Sequence, residues 1–200
     1  GASLRGAGQP ATRKGGGSGL HVAVIGGGSA AFAAAIRAAE EGAQVTLVEA
    51  GTLGGTCVNV GCVPSKIAIR AAHYAAAQAR SPFPGIEPQV PVIDRAMLVE
   101  QQQARVAELR HAKYENILET SPGINLVRGR AHFTGARTLR IVRADGRETD
   151  LSPDRVLLAT GASPAIPDVP GLKGSPYWTS TEALVDENVP EHLIVWGGSA

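Results

Sequence analysis

The sequence of 200 residues has few aromatic residues and no excess of charge of either sign. Aromatic residues make up 4% of it, and 19 basic residues stand against 18 acidic ones, for a formal net charge of +1. Proteins that bind nucleic acid usually concentrate basic residues on one face, often with aromatic residues on which bases stack. Since the sequence has neither feature, we expect no nucleic-acid partner.

Long hydrophobic runs are also missing. A membrane-spanning helix needs about 20 consecutive apolar residues, and the apolar runs of this sequence are much shorter. The glycine-rich start has no apolar stretch like that of a secretory signal. We therefore expect a cytoplasmic protein without a membrane partner.

Cysteine is scarce, because only Cys57 and Cys62 occur. One possible bond does not make the disulfide framework of a small secreted protein, so such a bond is better interpreted as chemistry than as a structural link. A zinc site is one alternative, but zinc prefers about four ligands at short spacing, and the five histidines are scattered along the sequence. A pair of small buried hydrophobic residues is the other alternative.

The first half of the sequence predicts a leader followed by a βαβ unit. Residues 1–19 are rich in glycine and without apolar periodicity, which indicates a flexible leader or linker. Residues 20–25 predict a strand, 30–41 an alanine-rich helix and 44–49 a second strand. This order favours a parallel sheet.

The second half adds helices, a small antiparallel meander and a return to the parallel sheet. We expect helices at 62–80 and 94–118, meander strands near 125–127, 131–133 and 138–143, and further strands at 155–159 and 193–196. The fold class is therefore α/β, a Rossmann-like domain with a parallel sheet and a small antiparallel β-meander. Because the last strand enters another glycine turn, we expect one domain at 20–190 and the start of a truncated second domain at 191–200.

The turn after the first strand has the spacing of a dinucleotide-binding loop, Gly26-x-Gly28-x-x-Ala31. The first glycine permits the tight turn, and the second lets the backbone approach a pyrophosphate at the start of the helix. Alanine stands where a third glycine is usual. Glu49, at the end of the second strand, can accept the hydrogen bonds of a ribose diol. The expected cofactor contacts are Gly26, Gly28, Ser29, Ala30 and Glu49, and the alternative is an ordinary glycine turn.

The segment 54–66, GGTCVNVGCVPSK, resembles the redox-active disulfide segment of the flavoprotein disulfide reductases, and 157–162 resembles the second flavin-binding segment of that family. In this segment a four-residue spacer in a glycine-bearing loop lets two sulfurs close into a small ring. Cys62, at a helix start, lies where the helix dipole favours a thiolate.

This resemblance implies an enzyme that binds FAD and uses NADPH as its reductant, with most of the NADPH site in a further domain. It implies that Cys57 and Cys62 form the redox-active pair, with Cys62 nearer the flavin and Cys57 as the exchange sulfur. Lys66 is implied to lie beside the flavin ring. The family also implies a homodimer. Further cofactor contacts are implied at Gly55, Thr56, Thr160 and Gly161.

Segments 69–73, 101–106, 109–115 and 175–184 are similar to the mercuric reductases, one branch of this family. That similarity implies Hg(II) as the substrate, bound by Cys57 and Cys62 and reduced to Hg(0). Dihydrolipoyl dehydrogenase or another disulfide reductase shares every motif and is the first alternative. A noncatalytic flavin-binding module is the alternative of another class. Because the nicotinamide-binding domain is expected outside them, the 200 residues alone are predicted to be inactive.

Overall fold

The computed structural model describes residues 19–197. Most of the expected leader, at 1–18, and the end of the expected second glycine turn, at 198–200, lie outside the described residues. The division of the chain at residue 191 stays a prediction.

Seven strands form two separate sheets. In chain order they are β1 His21–Ile25, β2 Gln44–Glu49, β3 Ile124–Arg128, β4 Arg130–Phe133, β5 Leu139–Val142, β6 Glu148–Leu151 and β7 Arg155–Leu158. The first sheet is parallel, with the order β3-β2-β1-β7, and the second is antiparallel, with the order β4-β5-β6. The predicted α/β class, with a parallel sheet and a small antiparallel meander, is therefore confirmed.

Helices cover the parallel sheet and surround the cysteine segment. They are α1 Ser29–Glu40, α2 Gly55–Val60, α3 Cys62–Ala79, α4 Arg95–Arg110, α5 Asn116–Thr120 and α6 Ser180–Val185. A π-helical segment, His111–Glu115, joins α4 to α5, and a single 3-10 turn spans Leu172–Gly174. The long helix predicted at 94–118 is thus divided by a segment of wider turns.

The main core lies between α1 and the parallel sheet. Helix α1 buries Ala31, Phe32 and Ala35, which are spaced to share one face, against Val24 and Leu47 of the two central strands. Alanine at most of the remaining positions of α1 lets the helix pack closely on the sheet. The close packing brings the first turn of α1 to the carboxyl ends of the strands.

The prediction for residues 125–127 was wrong. They belong to β3, which pairs in parallel with β2 at the edge of the main sheet. Ile124 is buried against the core, whereas Glu148–Leu151, the true third strand of the meander, is mostly exposed and polar. An exposed polar strand lacks the alternation of apolar residues that marks a strand in a sequence.

The strand predicted at 193–196 was also wrong. These residues pair with no strand among the described residues, and their apolar side chains are between 62% and 91% exposed. A strand is stable only when its backbone groups bond to a neighbouring strand. The parallel sheet ends at β7, which pairs with β1 and with no further strand among the described residues.

Among residues 19–197, no helix combines the length and the apolar character needed to cross a bilayer.

Candidate cofactor and redox site

The glycine turn lies where β1, β2 and β7 end together. The N–H of Gly26 donates to the carbonyl oxygen of Val48 at 2.8 Å, and the N–H of Ala159 donates to that of Ile25 at 2.8 Å. Gly26 has φ +117°, and a Cβ at this position would lie 2.1 Å from the carbonyl oxygen of Ala159. Only glycine fits at this position, because both the conformation and the space exclude a side chain.

Thr160 and Gly161 follow directly after this contact, so they lie at the same edge of the sheet as the glycine turn. Both residues are exposed, and Gly161 has φ +71°. In open parallel sheets, ligands bind outside the carboxyl ends of the strands. The geometry therefore brings the second predicted flavin segment to the first.

The start of α1 is open to an anion. Gly28 is the N-cap residue in an extended conformation, and no side chain of residues 19–197 caps the helix or adds an acidic group to its first turn. Ser29 and Ala30, the first two helical residues, are exposed. Their N–H groups have no partner within the helix, and together with the helix dipole they favour a phosphate.

The carboxylate of Glu49 stands over the glycine turn. Its Oε1 accepts a hydrogen bond from the N–H of Gly51 at 2.6 Å, and its Oε2 would lie 2.7 Å from a Cβ at position 27. Gly27 is therefore needed to admit the carboxylate, although the dinucleotide-loop spacing does not single it out. The three consecutive glycines of the sequence could have indicated it.

The cysteine segment begins against the same turn. The N–H of Gly54 donates to the carbonyl oxygen of Gly27 at 2.7 Å, and Gly28 and Gly54 form a parallel β-bridge. A Cβ on Gly55 would lie 2.8 Å from the Cα of Gly28. Glycine at 54 and 55 thus lets two backbones approach closely, and Thr56 follows as an exposed residue. The residues present fit a dinucleotide, whose pyrophosphate the free N–H groups at the start of α1 would hold.

Cys57 lies within α2, and Cys62 is the first residue of α3. The spacer between them was predicted as a loop and is helical instead, because Val58 is buried and the Asn59 side chain bonds to the backbone at the start of α2. The two helices meet at Gly61, where a Cβ would lie 2.9 Å from the carbonyl oxygen of Thr56. The helix-start position predicted for Cys62 is present.

Both cysteines are exposed free thiols that contact each other. Their hydrogen bond raises the pKa of Cys57 above its ordinary value of 9.0, and burial acts in the same direction, whereas the charge of Lys66 opposes the rise. Lys66 is exposed on the second turn of α3, four residues after Cys62. Two accessible sulfurs in contact can form and break a disulfide, which is what reversible thiol exchange requires.

Three side chains beside the pair were missed from the sequence: Asn59, Arg110 and Tyr114. Oδ1 of Asn59 accepts a hydrogen bond from Nη1 of Arg110 at 3.0 Å. The ring of Tyr114 packs edge-on against Phe32 with centroids 5.0 Å apart. Burial, and to a lesser extent the neighbouring Cys57, raises the pKa of Tyr114. Asn59 lies inside the redox segment 54–66, whereas Arg110 and Tyr114 lie in segment 109–115, whose resemblance did not mark them as site residues.

The site offers few ligands for a resident metal ion. Within residues 19–197, no group of three or more His, Cys, Asp or Glu side chains is arranged to hold one. His21 instead bonds to the Thr46 hydroxyl at 2.9 Å, and His111 lies 3.2 Å from the carboxylate of Glu115. A metal ion at Cys57 and Cys62 would thus depend on the two sulfurs, as a soft ion can.

Comparison with known proteins agrees with this geometry. The family model described as pyridine nucleotide-disulphide oxidoreductase matches residues 20–200. A mercuric reductase of Shigella flexneri is 60% identical over 181 residues, which are 90% of this chain and 32% of that protein. A mercuric reductase of Acidithiobacillus ferrooxidans is 58% identical over 90% of this chain and 33% of its own length.

Solved structures show the same fold. The Cu(II) complex of the HOCl-induced flavoprotein disulfide reductase RclA from Escherichia coli is 26% identical, with a TM-score of 0.71 over 86% of this chain and 35% of that one. The chain therefore spans about a third of the length of the curated relatives and of this structure.

Proposed function

The chain belongs to the pyridine nucleotide-disulphide oxidoreductase family, and from this premise we propose that it is the FAD-binding, disulfide-carrying part of an enzyme that reduces Hg(II) with NADPH. The observation that carries the proposal is the contact between the glycine turn and the cysteine helix, formed by Gly27 and Gly54. This contact supports a dinucleotide site beside a pair of reactive sulfurs. The identity of 60% to a mercuric reductase supports the choice of Hg(II).

The residues of the carboxyl edge fit the adenosine and pyrophosphate parts of FAD. Free N–H groups at Ser29 and Ala30 would hold the pyrophosphate, and Glu49 would accept hydrogen bonds from the ribose. Thr56, Thr160 and Gly161 border the same space. When bound, FAD supplies the path by which the two electrons of an NADPH hydride reach the cysteine pair.

The cysteines divide the remaining work. Two electrons and two protons would reduce the bond between Cys57 and Cys62 to two thiols, with Cys62 as the first residue of α3. Lys66, on the same helix, adds a positive charge to the site. Cys57 is exposed, which suits the sulfur that meets the incoming substrate, and its hydrogen bond with Cys62 raises its pKa.

Hg(II) is a soft ion that binds two thiolates, so this pair of sulfurs is sufficient to hold it. In the net reaction, NADPH and Hg(II) give NADP⁺, a proton and Hg(0), and both sulfurs are free again when the metal leaves. No acid or base beyond the thiols is required. The shortage of further metal ligands among residues 19–197 agrees with a metal that is substrate rather than a resident ion.

A homodimer and a cytoplasmic location complete the proposal. A groove of about 1100 Å³ between α3 and α4, with exposed Tyr74 and Ile93 on its walls, offers a surface that a second copy could cover. Free thiols as the reactive form suit a reducing compartment. The molar mass of the complete gene product in solution tests the dimer.

The deciding experiment is NADPH oxidation by the complete gene product with thiol-complexed Hg(II), lipoamide or glutathione disulfide. Turnover with Hg(II) and release of volatile mercury would support the proposal, whereas turnover with a disulfide alone would indicate a sister enzyme. In the same protein, Cys57→Ala and Cys62→Ala should retain FAD and lose mercury release. FAD binding without any nicotinamide-driven turnover would favour a noncatalytic flavin-binding module.

A further inference from the structure

We infer that Asn59, held by Arg110, is a positioning residue that fixes Cys57 relative to Cys62 and to the glycine turn. The inference rests on the proposed function, in which the two cysteines are the redox pair. Asn59 is half-buried and lies between the cysteines on α2, two residues after Cys57. The hydrogen bonds of its side chain go to backbone carbonyl oxygens and to Arg110, so it acts through the helix that carries Cys57.

Helix α2 cannot hold this position unaided. It has six residues, and isolated helices shorter than about 12 residues are marginal in water. Glycines lie at both ends, with Gly54 at φ +98°, and no side chain in the described part of the chain caps its N-terminus. Val58 is its one buried residue. The orientation of α2 therefore depends on polar ties to its surroundings.

Asn59 makes three side-chain hydrogen bonds, one within α2 and two that leave the helix. Its Nδ2 donates to the carbonyl oxygens of Leu53 at 2.8 Å and Gly55 at 2.9 Å, and its Oδ1 accepts from Nη1 of Arg110 at 3.0 Å. Leu53 and Gly55 flank Gly54, whose N–H is bonded to the glycine turn. One side chain thus joins the cysteine helix to the backbone that contacts the expected cofactor. A charged donor makes the third bond stronger than a neutral one would be.

Arg110 is itself held by a second partner, Glu115. Its side chain is 27% exposed, and its Nε lies 3.4 Å from Oε1 of Glu115. Glu115 ends the π-helical segment, and Tyr114 of the same segment packs on Phe32 and comes within 3.4 Å of the Cβ position of Gly54. Single π-helical turns occur most often at functional sites. In this protein the wider turn brings both Tyr114 and Glu115 back toward the cysteine segment.

Small movements of α2 have large consequences for the sulfurs. A disulfide forms only when the two Cβ atoms lie about 3.5 to 4.5 Å apart. A displacement near 1 Å can cost about 100-fold in rate. Removal of the Asn59 ties should therefore weaken the contact between Cys57 and Cys62 while the cofactor turn and its glycines stay intact.

The test uses the complete gene product with FAD bound and compares Asn59→Ala, Arg110→Ala, the double variant and Arg110→Lys. Arg105→Ala is the matched control, because Arg105 is an exposed residue of the same helix and pairs with Glu108 on that helix. The measurements are the pH profile of Cys57 alkylation, the rate of disulfide closure by an added disulfide oxidant, and the long-wavelength absorbance of a thiolate beside the flavin.

With Asn59→Ala we expect the alkylation midpoint of Cys57 to move to lower pH, because the hydrogen bond that the Cys57 thiol donates to Cys62 is weakened. We expect disulfide closure to slow by about 10- to 100-fold. Arg110→Ala should produce a smaller change in the same direction, and the double variant should match Asn59→Ala, since the two residues act as one unit. Arg110→Lys should recover part of the loss, and Arg105→Ala should behave as wild type.

A wild-type alkylation profile and closure rate in Asn59→Ala would overturn the inference, as would additive effects in the double variant. If Asn59→Ala does not fold, Arg110→Ala still tests the hydrogen bond between Asn59 and Arg110. Neither thiol measurement needs Hg(II). If the wild-type protein fails to reduce mercury while these variants still shift the thiol measurements, the proposed function is wrong and the positioning role stands.

Discussion

The N–H of Gly54 donates a hydrogen bond of 2.7 Å to the carbonyl oxygen of Gly27. The two glycines belong to motifs that are separate in the sequence, one typical of dinucleotide binding and one typical of a redox disulfide. Next to Gly54, a Cβ on Gly55 would lie 2.8 Å from the Cα of Gly28 and so collide with the glycine turn. The motifs are therefore one site, and a change in either is expected to affect the other.

The glycine turn offers a pair of variants that separate folding from cofactor binding. Gly26→Ala adds a Cβ that would lie 2.1 Å from a backbone oxygen, at φ +117°, so we expect a loss of about 3 kcal/mol in the free energy of unfolding. Gly28 has φ −90°, and a Cβ there would meet its nearest atom at 3.5 Å. Gly28→Ala should therefore keep the stability and weaken FAD binding.

Thermal unfolding without added FAD and FAD affinity by fluorescence quenching measure the two effects. We expect Gly28→Ala to change the unfolding temperature little and to raise the dissociation constant of FAD at least about tenfold, or 1.4 kcal/mol. An unchanged FAD affinity in Gly28→Ala would contradict the placement of the pyrophosphate at Gly28, and an equal loss of stability in both variants would contradict the space seen at Gly28.

Glu49→Gln tests the ribose contact. Glutamine can keep the hydrogen bond from the N–H of Gly51, so the turn should be preserved, but it replaces one carboxylate acceptor by a donor. We expect the dissociation constant of FAD to rise about tenfold, because hydrogen bonds to charged groups contribute about 1.5 to 3 kcal/mol. Glu40→Gln, an exposed change on α1, is the control. An unchanged affinity in Glu49→Gln would exclude the carboxylate as a ribose contact.

The pKa of Cys57 gives a prediction with a definite sign. Its hydrogen bond with Cys62 is the largest cause of the raised pKa, so the protonated thiol is favoured and alkylation of reduced Cys57 needs a higher pH than usual. In Cys62→Ala this cause is gone, and the midpoint for alkylation should move to lower pH. Peptide-resolved mass spectrometry of iodoacetamide labelling measures it. A midpoint that is unchanged, or that moves upward, would mean that the thiols do not share a hydrogen bond.

Local patterns in the sequence predicted the elements that build the cofactor edge. Neighbours within a few residues determine the conformation of β1, of the glycine turn and of β2. The sequence predicted β2 with its observed bounds, Gln44–Glu49. The strand at 124–128 was placed in the wrong sheet because pairing partners are set by contacts distant in the sequence. Its alternation of apolar residues suits the edge of either sheet.

The support of the cysteine pair could not be predicted for the same reason. Asn59 and Arg110 are 51 positions apart in the sequence. Because α4 has mixed polar residues, its sequence does not indicate which of its arginines contacts the cysteine segment. The π-helical segment that follows has no distinctive composition, and it interrupts a helix that the sequence predicts as continuous. Such features depend on tertiary packing, which overrides local propensity.

Two of the segments that are similar to the mercuric reductases, 101–106 and 175–184, contact each other in the fold. Their sequences show no evident link to metal chemistry. Gln102 of α4 is 1% exposed, and its Nε2 donates to the carbonyl oxygen of Leu184, the next-to-last residue of α6, at 2.8 Å. Arg95 of the same helix donates to the carbonyl oxygen of Ala183 at 3.2 Å. These contacts tie α6 to α4.

Gln102→Ala should therefore release α6. The variant loses a buried hydrogen bond and leaves the Leu184 carbonyl oxygen with only the longer bond from Arg95, at 3.4 Å. We expect the free energy of unfolding to fall by about 1 to 2 kcal/mol. Gln101→Ala, an exposed change at the adjacent position, should have almost no effect. Thermal unfolding and limited proteolysis near 180–185 measure the difference. If the two variants were equally stable and equally resistant, the bond from Gln102 would not be what holds α6, and its attachment would have to come from apolar packing on α2 and α3.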